Sequence, residues 1–90
     1  MLLISYDISD TKLRTRFSKY LEKYGERIQY SVFEIKNSER VLGNIETEIR
    51  VNFEKNFSQT DSILIFHLTP KCHITRYGYA KNVENDILIV

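Results

Sequence analysis

The chain's first apolar run carries two aspartates at its far end, Leu2-Leu3-Ile4-Ser5-Tyr6-Asp7-Ile8-Ser9-Asp10. A carboxylate where a central strand hands over to a helix stands where open sheets tend to build their sites. Magnesium takes one or two carboxylates plus waters in octahedral geometry. Asp7 therefore becomes a credible ligand only where a two-fold axis brings its counterpart close. The structural alternative is an ordinary turn residue at Asp7, followed by a helix cap at Ser9 or Asp10. The other chemistry-bearing side chains assemble into less. His67, Cys72 and His73 fit no zinc-ligand spacing. Ser5, Ser31 and Cys72 have no His–carboxylate partner at a suggestive spacing, so nucleophilic catalysis has no support. The three glycines are 18 and 35 residues apart, which excludes a glycine-rich phosphate loop.

Phosphate recognition has better material. Residues 11–27 hold six basic side chains (Lys12, Arg14, Arg16, Lys19, Lys23, Arg27) against Glu22 and Glu26. Lys12, Arg16, Lys19 and Lys23 are spaced 4, 3 and 4 apart, which on a helix makes one stripe. Arg14, Arg16 and Arg27 add guanidinium forks suited to phosphate. A solvated helix face is the competing explanation. Tyr77 and Tyr79, flanking Gly78, are of a type that stacks on bases, although sheet-edge tyrosines are commoner.

The elements that must position these groups follow from the pattern. Residues 2–8 read as a strand buried on both faces, and therefore central in a sheet. Leu13, Phe17, Tyr20, Leu21 and Tyr24 recur at helical spacing, and Gly25 stands where a helix stop belongs. Arg27 to Lys36 is rich in β-formers and long for one strand. It reads as two short strands with a break near Tyr30-Ser31. Asn37 or Ser38 caps a second helix carrying Val41, Leu42, Ile45, Ile49 and Phe53, in which Gly43 costs ~1 kcal/mol relative to Ala. Residues 58–60 are a loop. Residues 62–68 read as another buried strand ended by Pro70, and a short strand is expected over residues 74–77.

This order predicts an α+β ferredoxin-like βαββαβ sandwich forming a single domain over residues 1–90. Ninety residues, 42% of them hydrophobic and with only one proline, suit a small globular domain and exclude disorder. No apolar run approaches the ~20 residues that cross a bilayer, so no membrane association is expected. One cysteine and an N-terminus without a basic leader point to the cytoplasm. The last residues, Ile87, Leu88, Ile89 and Val90, make an apolar strand that would be an exposed edge on its own. A homodimer that exchanges this strand is the expected remedy, against the alternative that it extends its own sheet.

Three segments together carry a family likeness. Tyr6-Asp7-Ile8, Leu13-Arg14-x-Arg16 and Gly25-x-Arg27-x-Gln29-x-Ser31-Val32-Phe33-Glu34 resemble the CRISPR-associated Cas-two family, the smaller protein of CRISPR adaptation. The likeness extends over the whole chain in length and element order. It implies a ferredoxin-like homodimer with C-terminal strands crossing between protomers. It also implies a paired Asp7 at the dimer axis that holds Mg²⁺, or Mn²⁺ in its place, for endonuclease cleavage of RNA or duplex DNA. Tyr6, Arg14, Arg16, Arg27 and Phe33 match positions tied to nuclease activity or nucleic-acid contact, and Ser31 belongs to the same motif. The implied partner is the larger adaptation integrase, which such a dimer scaffolds. The readings that stand beside the metal-dependent nuclease are a non-catalytic DNA-binding scaffold and a related toxin-type endoribonuclease. With a net charge of only +1, duplex binding is expected to rest on the first helix, including Lys12 and Lys19, and on the dimer's doubled field.

Overall fold

The computed structural model describes residues 1–36, 39–75 and 77–78. Along the chain run β1 (Leu2–Asp7), α1 (Thr11–Leu21), β2 (Gly25–Gln29), β3 (Val32–Ile35), α2 (Glu39–Glu48) and β4 (Ser62–His67). The strands form one antiparallel sheet in the order β2-β3-β1-β4, with β1 central as expected but buried on the helix side only, not on both faces, because no described layer covers the other face. This is the ferredoxin-like arrangement.

Strand alternation divides the sheet's residues between two faces. Leu2, Ile4 and Tyr6 of β1 and Phe33 and Ile35 of β3 are buried on the helix side. They pack with Leu13, Phe17 and Leu21 of α1 and with Ile45 of α2. Tyr6 meets Phe17 edge-on at 5.2 Å, and Phe17 meets Phe53 at 5.0 Å. The Tyr20 hydroxyl donates to the Asn44 carbonyl at 3.3 Å and ties the two helices together. The opposite face is open: Leu3, Ser5 and Val32 are half-buried, and Leu64 and Phe66 are 55% and 47% exposed.

Local choices follow the side chains. Asp10 is the α1 cap, accepting from the Leu13 N–H at 2.8 Å. Ser9 is therefore free for another role. The α2 spiral continues as a wide π-type turn over Ile49–Phe53 and a 3₁₀ turn over Glu54–Asn56. Ile45, Ile49 and Phe53 are four residues apart, a spacing that drifts ~40° per step on an ideal helix. The wider turn offsets that drift and keeps Phe53 in the core.

Several expectations are corrected. Gly25 is not a helix stop, since α1 ends in a turn capped at Glu22 and Gly25 opens β2. Glycine is needed there because a Cβ would collide with the Glu34 carbonyl oxygen and with Ile35. The residue 62–68 strand is not buried on both faces, because β4 lies at the sheet edge among the described residues, and His67 at its end is exposed. No strand forms over residues 74–75 and 77. The break at Tyr30-Ser31 is present as the β2–β3 turn, with a bulge between Arg27 and Gln29. The expected cap at Asn37 or Ser38, Tyr79 and the strand of Ile87 to Val90 lie outside the described residues.

Candidate nucleic-acid interface

One end of the sheet gathers Asp7, Arg14, Arg27 and Ser31 from among the polar residues that the sequence singled out. β1 terminates there at Asp7, which is paired in register with Ser62 at the start of β4. The Tyr6 N–H donates to the Ser31 carbonyl at 3.1 Å, which sets the Tyr30-Ser31 turn beside the same end. Tyr6 and Asp7 are neighbours in sequence but face opposite sides of the sheet. Tyr6 is buried under α1, whereas Asp7 is exposed on the open face. Its carboxylate has no hydrogen-bond partner among the described residues.

On the helix side of this end lies a cleft of about 190 Å³, lined by Arg14, Thr15, Ser18, Arg27, Tyr30 and Ser31. Arg14 is fixed by its own neighbourhood. Its Nη1 donates to the Ile8 carbonyl at 2.8 Å and the Ser9 carbonyl at 3.4 Å, and its Nη2 donates to Thr11 Oγ1 at 3.2 Å. The Nε–H is left without a partner among the described residues. Arg27 stacks its guanidinium 5.4 Å from the centre of the Phe33 ring, so the fully buried Phe33 holds it in place. No carboxylate among the described residues forms an ion pair with either guanidinium. Tyr6 feels this site from beneath. Burial raises its hydroxyl pKa above the ordinary 10, and the nearby Arg27, Ser18 and Arg14 partly oppose the rise. Two guanidiniums without a carboxylate partner among the described residues, beside the hydroxyls of Thr15 and Ser31, suit a phosphate.

The segment after Asp7 is clamped from across the sheet end. Asp61 Oδ1 accepts from the Ser9 N–H at 2.9 Å, from Ser9 Oγ at 3.0 Å and from Ser58 Oγ at 3.0 Å, while Oδ2 accepts from the Ser58 N–H at 2.9 Å. These donors, the Ser58 and Ser9 backbones foremost, lower the Asp61 pKa from 3.8 to about 2. The β1–α1 junction is thereby tied to the β4 entry.

The α1 stripe is real, but it is a separate surface. Lys12, Arg16, Lys19 and Lys23 are all exposed. Arg16 sits 5.3 Å over Phe53 and Lys23 5.5 Å over Tyr20, with Lys19 completing the basic wall of a shallow groove that Glu48 also lines. Arg14 and Arg27, which the sequence added to the basic stripe as further guanidinium forks, belong to the cleft instead. Thr15, Ser18, Tyr30 and Asp61 were not singled out in the sequence. Only the position of Tyr30 in a tight turn hinted that it would be exposed. Cys72 and His73 are exposed, like His67, and no group of three or more His, Cys, Asp or Glu side chains converges among the described residues. Asp7 offers one carboxylate, the lower end of the one or two that magnesium takes from a protein. Among the described residues no helix is long and apolar enough to cross a membrane.

The comparisons with known proteins bear on the same residues. The family described as CRISPR associated protein Cas2 matches residues 1–76, a span that includes Asp7, the α1 stripe and the cleft. The chain belongs to the Cas2 family. It is 33% identical over 90 residues to the CRISPR-associated endoribonuclease Cas2 2 of Methanospirillum hungatei, covering 98% of this chain and 97% of that one. It is 32% identical to the CRISPR-associated endoribonuclease Cas2 4 of Rhodospirillum rubrum, spanning 94% of this chain and 66% of that protein. Among solved structures, Streptococcus pyogenes Cas2 superposes with a TM-score of 0.64 at 25% identity, covering 78% of this chain and 87% of that one. A second Cas2 crystal structure covers 99% of this chain and 95% of its own with a TM-score of 0.71, and its 23% identity speaks to the fold alone.

Proposed function

We propose that this Cas2 family chain acts in CRISPR adaptation as a cytoplasmic homodimer that binds nucleic acid, scaffolds the larger adaptation integrase and hydrolyses phosphodiester bonds in RNA or duplex DNA with Mg²⁺. The observation that carries the hydrolytic part is the Asp7 carboxylate, exposed and without a hydrogen-bond partner among the described residues, on the open face of the sheet. That face carries Leu64 and Phe66, apolar surface suited to a second copy. Two sheets meeting there about a two-fold axis would bring two Asp7 carboxylates together. The strand of Ile87 to Val90 would cross to the partner and cover the partner's β4 edge, which the described residues leave unpaired. A magnesium ion so held would polarise the scissile phosphate and lower the pKa of an attacking water. The chain's own residues bind and orient the strand: Arg14 and Arg27 hold phosphate in the cleft, and the α1 stripe holds it by charge.

The scaffold reading without catalysis draws on a different observation, namely that neither the cleft nor the groove along the stripe is lined by Asp7. Nucleic-acid binding therefore needs no contribution from Asp7. Asp7→Asn separates the two readings because it keeps the shape and removes the charge. Cleavage of RNA and duplex DNA is measured across a pH series with and without Mg²⁺ or Mn²⁺, beside thermal melts and spacer acquisition in cells. Loss of metal-dependent cleavage with an unchanged melt supports the nuclease, and retained acquisition would show that cleavage is dispensable. Cleavage at the wild-type rate would make Asp7 a turn residue. A variant that unfolds would assign Asp7 to the strand-to-helix turn.

A further inference from the structure

Tyr30 is the feature that the α1 stripe and the Asp7 pair leave unexplained. Its ring is 68% exposed although it stands in a two-residue turn beside a polar cleft. Turn positions favour glycine, asparagine, aspartate and serine, so local geometry gives no reason for an aromatic here. Packing gives none either, because an exposed ring buries little.

The cleft itself limits its occupant. Pockets that enclose a drug-sized ligand run ~300–1,000 Å³. At about 190 Å³ this cleft admits a phosphate group and part of a sugar, but not a whole nucleotide. Arg14 and Arg27 supply charge for the phosphate, and Thr15 and Ser31 supply hydroxyls around it, the Ser18 proton being donated to the Thr15 carbonyl at 3.0 Å. The base must then lie outside the cleft, and the group waiting at its margin is an aromatic ring. A base within a duplex is already stacked on both faces, so a lone surface tyrosine gains contact only with an unpaired one.

We propose that the cleft takes one unpaired nucleotide, its phosphate between Arg14 and Arg27 and its base stacked on Tyr30. This rests on the nucleic-acid-binding reading above and sharpens it. The stripe on α1 engages phosphates whatever the strandedness, whereas Tyr30 selects single-stranded segments. The site is indifferent to base identity, since every base presents a π face.

The test compares two fluorescent probes, an oligouridylate and a blunt-ended DNA duplex, by anisotropy over a salt series. Tyr30→Ala should weaken oligouridylate binding by about 5- to 150-fold, the range expected for one lost base stack. Its log K against log salt slope should not change, because no charge is removed. Duplex binding should stay at the wild-type level, and Tyr30→Phe should restore oligouridylate binding. Arg27→Gln should instead lower the single-strand slope by ~0.7, the value for one phosphate. Thermal melts of each variant establish that it is folded. Tyr30→Ala binding oligouridylate like wild type overturns the proposal, as does an equal loss on both probes, which would make Tyr30 a determinant of the turn. A wild-type chain that binds the duplex but not oligouridylate refutes this proposal alone. A wild-type chain that binds neither refutes the nucleic-acid reading with it.

Discussion

Reversing charge on the α1 stripe should change the salt dependence of duplex binding by an amount that the geometry sets. Lys12 to Lys23 spans about 16 Å of helix axis, room for several consecutive phosphates of one strand. Each phosphate neutralised on duplex DNA contributes ~0.9 to the slope of log K against log salt. Four contacts per protomer give a slope of ~3.6, or ~150-fold weaker binding between 50 and 200 mM salt. The double variant Arg16→Glu, Lys19→Glu removes two of them. Its slope should fall by ~1.8 per engaged protomer, leaving only ~12-fold salt sensitivity over the same interval. Two unrelated duplex sequences should be affected alike, because phosphate contacts carry no sequence information. Arg16 also sits over Phe53, and losing an exposed cation–π contact costs about 0.5–1 kcal/mol of stability. A thermal melt separates that loss from the binding effect. Arg50→Glu is the control, since Arg50 is exposed in the groove between the π-type turn and β4. Fluorescence anisotropy reads the slopes. If the double variant keeps the wild-type slope, or Arg50→Glu lowers it equally, the stripe is only a solvated face.

Two glycines should respond to alanine in opposite directions. Gly25→Ala drives a Cβ into the Glu34 carbonyl and Ile35 and should destabilise by about 3 kcal/mol. Gly43→Ala, on an exposed helix position with open space around the new Cβ, should stabilise by ~1 kcal/mol in urea titrations. Asp61 governs acid behaviour at the sheet end. Its folded pKa of about 2 lies below the ordinary 3.8, so its stabilising effect is complete above the ordinary value and is lost as pH falls toward 2. Asp61→Asn should flatten that part of the acid titration and speed amide exchange at Ser9, whose N–H Asp61 accepts. Unchanged exchange at Ser9 would show that the clamp does not hold the junction.

Much of this architecture was legible because its signals are local. The Leu2–Ile8 run, the spacing of Leu13, Phe17 and Leu21, and the β-rich stretch broken at Tyr30-Ser31 each fix an element from within. The misreadings have non-local causes. Gly25 looks like a helix stop, but its reason lies across the sheet at Glu34 and Ile35. The residue 62–68 run is as apolar as a central strand, and only the pairing order shows that β4 lies at the edge of the described sheet. Arg14 differs from Arg16 by two positions, a turn of about 200° around the helix, which sends it away from the stripe and back to the Ile8 carbonyl. Asp61 is an unremarkable loop aspartate until the fold brings Ser9 to it from 52 residues away.

The alternation of β1 constrains how any chemistry at Asp7 would work. Tyr6 turns inward beneath the cleft of Arg14 and Arg27, so Asp7, one residue on, must turn outward. Within one protomer the Asp7 carboxylate and the arginine cleft therefore lie on opposite sides of the sheet. A strand seated in the cleft would have to pass around the sheet end, past the Tyr30-Ser31 turn, to reach the open face. The nucleotide at Tyr30 and the phosphate at Asp7 would then be different positions of the same strand. Duplex DNA is too stiff to follow so tight a path, and an unpaired segment is not. On the proposed dimer, a backbone that presents Asp7 to a second copy would thus favour cleavage of unpaired substrate, while a duplex would lie along the α1 stripe.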